Sequence, residues 1–434
     1  MKYTTKVSEF LENHGFIYDG ASFGKLCRDF SDEMGRGLAG KSSSLEMIPT
    51  YICAEGDIDY TKNVIVIDAG GTNFRVALVH FDQDKKPVVD YLEHYPMPGT
   101  GGAIDRAEFY DKIVEYLSPI ADKSDSIGFC FSFPTQMLPD RDGRLIHLNK
   151  EVKVNGLDGT LIGKGVTDAL EAHGFVGKKH VVLLNDTVAT LLGGKASVSG
   201  RVYDGFIGFI LGTGSNMCYC ESARNILKDP SVSRTDGGMI INIESGGYAL
   251  APRSDLDVSF DSGTEAPGNQ QFEKMFSGAY QGSVMLTILK AAAAQSLFSD
   301  GTAANISGMS SLSSKDIDVF CAFPFGSGVL AKAARTDDDK LTIYQLIDAF
   351  FERAALFIAA SLAAVMLRTG TGKNPLKPVC VSAEGTTFYK SRLLRPKLDR
   401  DTSLLLGDGL GIYCEYLRSE NTTLVGTALA GLLG

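Results

Sequence analysis

One arrangement occurs twice in this chain: an apolar β-type run, a tight glycine turn, and a second β-type run. The first copy is Asn63-Val64-Ile65-Val66-Ile67-Asp68, then the Gly70-Gly71 pair, then residues 74–81. The second is residues 204–211, then Gly212-Thr213-Gly214, then residues 216–221. β-Branched and aromatic runs on either side of a glycine turn predict hairpins. A hairpin unit repeated in the two halves predicts two similarly built lobes that face one cleft. The length of 434 residues agrees, because a single core stops growing at roughly 250–300.

Other segments fill in an α/β chain. Helices are expected within residues 1–60, at 105–117, from Asp186 onward, at 270–290, at 342–367 and from Val425 to the end. Strands are expected at 126–133, stopped by Pro134, at 181–184 and at 377–382. The longest apolar stretch, 354–367, lies between Arg353 and Arg368, is too short to cross a bilayer and reads as a buried helix.

Bulk properties exclude some classes. A net charge of −10 with no basic run argues against nucleic acid as a partner. Eight cysteines form no CxxC pair, and Cys218 and Cys220 read as buried thiols on one strand, not as metal ligands. Scattered thiols fit a reducing compartment, and residues 1–6 lack the apolar core of a secretory signal, so the cytoplasm and no membrane are expected. No feature fixes an oligomeric state.

The chemistry concentrates at the turns. Asp68-Ala69-Gly70-Gly71-Thr72-Asn73-Phe74-Arg75 sets an acid before a glycine turn and a cation after it. Glycines let backbone N–H groups approach phosphate oxygens, an acid holds Mg²⁺ through water, and an arginine neutralises a transferring phosphoryl group. From this motif alone a plain hairpin is the commoner reading, because Gly-Gly turns are common. Leu211-Gly212-Thr213-Gly214-Ser215-Asn216 repeats the theme with added hydroxyls. In Asn185-Asp186-Thr187, Asp186 is either a helix N-cap or a base that takes a proton from an attacking hydroxyl, or both. Ser132-Phe133-Pro134, Lys150, Glu244 and Glu273 are singly ordinary surface groups or caps, but together they supply carboxylates and polar groups that read vicinal hydroxyls.

These motifs, in order, resemble those of the hexokinase family. Asp68–Arg75 resembles its first phosphate motif, Ser132-Phe133-Pro134 its sugar-binding strand, and Asn185-Asp186-Thr187-Val188-Ala189-Thr190 its catalytic segment. Gly212–Asn216 resembles the second phosphate motif, and residues 267–275 resemble the Pro-Gly helix that carries a sugar-binding glutamate. A weaker adenosine-type match covers 382–387.

The resemblance implies an actin-like (ribonuclease H-like) ATPase fold closing on a hexose and ATP-Mg²⁺. It implies a small lobe at 61–186 to which the helix 425–434 returns, and a large lobe at 187–424 with residues 1–60 packed on it. Asp186 is then the base, with Lys150 and Arg75 assisting. Ser132, Phe133, Pro134, Asn149, Lys150, Asn185, Asn216, Glu244 and Glu273 hold the sugar. Asp68 reaches the metal through water, and Gly70, Gly71, Thr72, Asn73, Arg75, Gly212, Thr213, Gly214, Gly385 and Thr386 surround the nucleotide.

The implied reaction is transfer of the terminal phosphoryl group of ATP to the 6-hydroxyl of a hexose, glucose first, by a single catalytic unit without a membrane anchor. Asn149, Ser245 and Glu384 depart from the family pattern, which has Thr, an aromatic residue and Asp there, and the downstream His-Pro pattern is missing. The rival readings are a sugar sensor with weak catalysis and an actin-like ATPase without a sugar. A repressor-type sugar kinase would carry a Cys/His zinc cluster, and none is present in the sequence.

Overall fold

The computed structural model describes residues 2–16, 20–53, 58–148, 151–198 and 200–433. Two sheets organise them. The first has five strands in the spatial order His180–Leu184, Ser126–Phe131, Val64–Gly70, Asn73–Phe81, Pro87–Pro96. The second has six, in the order Ile48–Pro49, Gly238–Asn242, Ser215–Ser222, Gly205–Leu211, Val379–Glu384, Cys414–Leu417.

The repeat read from the sequence is more complete than its two hairpins. Each sheet has a central antiparallel hairpin, a third antiparallel strand on one side and two parallel strands on the other. The third strands, Pro87–Pro96 and Gly238–Asn242, escaped the sequence reading. Pro87–Pro96 lies at a sheet edge and is largely exposed, so it carries little of the apolar signal that marks a strand.

Val64–Gly70 shows why its sequence is apolar without alternation. Val64 through Ala69 are all buried, because both faces of the strand are covered. Ile65, Ile67 and Ala69 join one core, whereas Val64 and Val66 pack with Leu424, Val425, Ala428 and Leu429. Those four come from the helix Thr422–Leu432, which follows the last strand of the second sheet and lies on the first. The helix Asp186–Ser197 does the reverse. It leaves the last parallel strand of the first sheet and lies on the second, where the Thr187 carbonyl accepts from Cys218 Sγ at 3.0 Å. The two helices pack so closely that a Cβ at Gly426 would collide with the Ala189 carbonyl oxygen.

The stretch 342–367 lies inside a 33-residue helix, Asp337–Thr369. Its start is fixed by a capping box in which Thr336 and Asp339 each accept or donate across the first turn. The helix is long and apolar enough to cross a membrane by length and composition, and 83% of its most apolar window is buried in the protein. Arg353, on this helix, binds both oxygens of Asp257, at 2.5 and 2.9 Å, in the core.

Three expectations need correction. The helix expected at 270–290 is two helices, Gln271–Lys274 and Gln281–Ala294. Between them, the amides of Gly278 and Ala279 bond to the carbonyls of Gly212 and Thr213, at 2.9 and 3.0 Å, so tertiary hydrogen bonds outcompete the helical ones. The strand expected to run to Phe133 ends at Phe131. The cap of the Asp186 helix is Asn185, whose side chain accepts from the Thr187 amide, and Asp186 is the first helical residue.

Candidate active site

Three parallel strands of the first sheet deliver the acidic centre. Strand register sets Asp68 beside Arg75 on one side and Cys130 on the other, and Leu184 beside Cys130. Asp68, Ser132 and Asp186 thus gather where these strands end, the end at which α/β sheets bind ligands. Arg75 forms an ion pair with Asp68 and also donates to Thr423 Oγ1 at 3.2 Å. Asn185 Oδ1 accepts from the Thr187 amide at 2.9 Å and from its hydroxyl at 2.5 Å. Asp186 Oδ1 accepts from the same amide at 2.9 Å.

Burial pushes the Asp186 carboxyl up to about 6, and the charge of Asp68 adds to the rise. Hydrogen bonds from Ser132 and the Thr187 amide work against it. Burial, together with the negative charges of Asp68 and Asp186, raises the Cys130 thiol well above its ordinary value, so it stays neutral between the two acids.

The second sheet contributes amides and another carboxyl. Asn216 Nδ2 donates to Asn242 Oδ1 at 2.8 Å and to Glu244 Oε1 at 3.1 Å, and Asn242 Nδ2 donates to the same Glu244 oxygen at 2.7 Å. Glu244 is held in the left-handed region, at φ 56°, an uncommon conformation for a residue with a side chain. Burial lifts its carboxyl to about 7, opposed by the Asn242 bond and reinforced by the charges of Glu46, Asp186 and Glu273. Ser245 beside it is fully buried, and its hydroxyl has no hydrogen-bond partner among the described residues.

A cavity of ≈ 710 Å³ lies between these two sets. Of the residues expected to hold a sugar, Ser132, Phe133, Pro134, Asn185, Asp186, Asn216 and Glu244 line it. Glu273 does not. It stands behind the Gly214 turn, where its Oε2 accepts from the Ser215 amide at 2.8 Å, and burial raises its carboxyl. Asn149 and Lys150 lie outside the described residues. The cavity wall also includes Glu46, Asn242, His147, Asn269 and Gln270, which the sequence reading did not assign to the site. Asn242 had a legible signal, since it ends an apolar run two residues before Glu244.

The two glycine turns differ. Gly71 has φ 58° and opens to solvent with Thr72 and Asn73. Gly212 and Thr213 instead give their carbonyls to Gly278 and Ala279, and Thr387 Oγ1 donates to the Gly212 carbonyl at 2.8 Å. Gly385 lies against this turn, and Thr386 opens a short helix beside it. The expected adenosine segment and the second phosphate turn therefore meet.

A divalent cation here would find two carboxylates, Asp68, already paired with Arg75, and the buried Asp186. Among the described residues no group of three or more His, Cys, Asp or Glu is arranged to hold a metal ion. Such a donor set fits Mg²⁺ that keeps most of its water and is bound mainly through phosphate oxygens, not a protein cage.

Two family models, both described as hexokinase, match residues 7–196 and 206–433. Curated relatives include hexokinase-3 of Homo sapiens, 31% identical over 91% of this chain, and hexokinase-3 of Rattus norvegicus, 30% identical over 92%. The chain spans 44% of the length of each, less than half of those proteins. Among solved structures, a Schistosoma mansoni hexokinase complexed with glucose superposes with a TM-score of 0.76 at 22% identity, covering 98% of both chains. A second hexokinase crystal structure gives 0.75 at 20% identity, covering 99% of this chain and 100% of that one. These likenesses establish the expected two-lobed, actin-like fold, and with more than half of the sequence matched by one family model, the chain belongs to the hexokinase family.

Proposed function

We propose that this chain transfers the terminal phosphoryl group of ATP to the 6-hydroxyl of a hexose, with glucose as the first candidate. The observation that carries the reading is Asp186. It is a buried carboxyl raised to about 6, on the wall of a cavity with ample room for a hexose, at the start of the helix that joins the two sheets. A carboxylate poised just below neutral pH is ionised in the cell yet basic enough to take a proton.

In this reading the hexose enters first. Asn185, Asn216 and Glu244 bind its ring hydroxyls, and Phe133 and Pro134 supply an apolar face. Asp186 orients the primary hydroxyl and accepts its proton as the new O–P bond forms. Arg75, held by Asp68 and Thr423, lies at the first turn to offset charge on the transferring group. The open amides around Gly71 and those of Thr213 and Gly214 cradle phosphates, the Gly212 amide being bonded to the Gly214 carbonyl, and Gly385 and Thr386 border the adenosine side. ATP bound with Mg²⁺ supplies the phosphoryl group and the charge neutralisation its β- and γ-oxygens need. Closure of the two lobes, each built on one sheet, keeps water from Asp186, so that ATP is not hydrolysed in place of transfer. We place the reaction in the cytoplasm, a reading supported by eight free cysteines.

The test is ADP release with ATP-Mg²⁺ across a panel of hexoses, with a no-sugar control. Hexose-dependent release, accompanied by formation of a 6-phosphate, is expected. Equal release without sugar would make the chain an ATPase, and glucose binding without turnover would make it a sensor.

A further inference from the structure

We infer that Lys274 and Asp261 are positioning residues that hold the outer wall of the sugar cavity and thereby set hexose affinity. The inference rests on the proposed function only for the identity of the ligand. Residues 265–270 connect the helix Asp255–Ser262 to the short helix Gln271–Lys274 and are all exposed. Four of them, Ala266, Gly268, Asn269 and Gln270, line the cavity. An exposed loop gains no apolar burial, so something else must fix its shape.

Polar tethers do so, and they converge on one buried pair. Lys274 is 5% exposed and Asp261 is 7% exposed. The Lys274 ammonium donates to Asp261 Oδ1 at 2.6 Å, to the Ala266 carbonyl at 2.7 Å and to Thr264 Oγ1 at 2.9 Å, which uses all three of its N–H groups. The other Asp261 oxygen accepts from the Gly268 amide at 3.0 Å and from Arg253 at 3.2 Å. Thr264 returns its hydroxyl proton to the Asp261 carbonyl at 2.8 Å. The loop is thus pinned at 264, 266 and 268, on both sides of Pro267.

The direction of these bonds matters. Glu273 and Lys274 are adjacent but serve opposite sides of the same short helix. Glu273 accepts from Ser215 beneath the second glycine turn, whereas Lys274 reaches back to the loop. Gln270, between them, is held at φ 49°, and its side-chain oxygen is close enough to Gly246 to lie 2.5 Å from any Cβ placed there. The lysine therefore ties the loop, the Gln270 backbone and the Glu273 turn into one unit. A buried ion pair adds little net stability, because desolvation offsets the attraction, but it specifies one geometry.

Lys274→Met keeps the aliphatic stem and removes the donors, and Asp261→Asn keeps the shape and removes the charge. For both variants the KM for hexose should rise about tenfold or more, the loss of one or two buried charged hydrogen bonds, with the KM for ATP unchanged. Amide hydrogen exchange should quicken at 264–270 and stay slow in the helix Asp337–Thr369. Lys274→Arg, which retains charge and donors, should recover part of the affinity. A merely structural role would lower the melting temperature and the active fraction while leaving KM and loop exchange as in the wild type, and that result overturns the inference. If the wild-type chain turns over no hexose, the proposed function fails. The exchange comparison still decides the loop, because unchanged protection at 264–270 in Lys274→Met rules the tether out.

Discussion

The two glycine turns share a sequence theme and a place in the sheet, yet they are built to different standards of rigidity. The turn after Val64–Gly70 is open. A Cβ at Gly71 would meet nothing within 4 Å, and the residue is glycine because its φ is 58°. The turn after Gly205–Leu211 is clamped by residues 278, 279 and 387 through its carbonyls and by Gly385 through close packing. An open turn is free to close over an anion, whereas a clamped one presents its amides in a fixed array before any ligand arrives. If the proposed reaction holds, the first turn is the one expected to shift when a ligand binds and the second the one expected to stay fixed.

The sharpest way to break this scheme is at the residue that joins the two sides. Asp186→Asn should lower kcat at least a thousandfold with little change in the hexose KM, measured by coupled ADP release. The same variant should be more stable than the wild type at pH 8. Asp186 and Glu244 have folded-state values raised to about 6 and about 7, so the stability they allow is fullest below the ordinary carboxylate range and is lost as pH rises through those values. Removing the ionisable group at 186 relieves up to about 3 kcal/mol of that loss, since one pKa unit is about 1.4 kcal/mol. Near-normal turnover in Asp186→Asn would remove it as the base.

Gly385→Ala tests the clamped turn. With φ 114° and the Leu211 carbonyl oxygen in the way of a Cβ, it should cost about 3 kcal/mol or more in chemical denaturation, and raise the ATP KM. Arg75→Ala, on the open side, should lower kcat about a hundredfold with the fold intact, the typical effect of losing one transition-state donor. Gly71→Ala is the smallest change, about 1 kcal/mol from the left-handed conformation alone, because nothing crowds the site. If Gly71→Ala and Gly385→Ala prove equally damaging, the contrast between open and clamped turns is wrong.

The pH–rate profile sharpens the same picture from another side. In the proposed reaction ionised Asp186 is the active form, so kcat should fall as pH drops below about 6 and hold on the alkaline side of that value. Asp186→Asn should abolish this acidic limb in whatever activity remains.

Much of this was legible in the sequence. Both hairpins, the strand before Asp186 and the buried 354–367 helix announce themselves through runs of apolar residues between turn residues. Much of the polar wall of the cavity could also be picked out, because Ser132, Asn185 and Glu244 end such runs and Asn216 begins one. Less legible were Pro87–Pro96, which is too exposed to carry an apolar signal, and the break at 275–280, where Gly278 and Ala279 bond to a turn more than sixty residues away. Glu273 is absent from the cavity wall, and one of its carboxylate oxygens accepts from the Ser215 amide. Glu46 and His147 carry no local mark that separates them from surface residues.

The sequence by itself determined the α/β class, the doubled hairpin and the residue types at each strand end, because periodicity, turn chemistry and burial act over a few residues. Only the tertiary structure decided which strand ends face each other across the cavity, and which glycine turn is held and which is free. It also decided that a lysine next to an acid would point the opposite way to pin a loop. Those outcomes depend on how two helices exchange sheets and pack at Gly426, contacts between segments more than two hundred residues apart that no local pattern records.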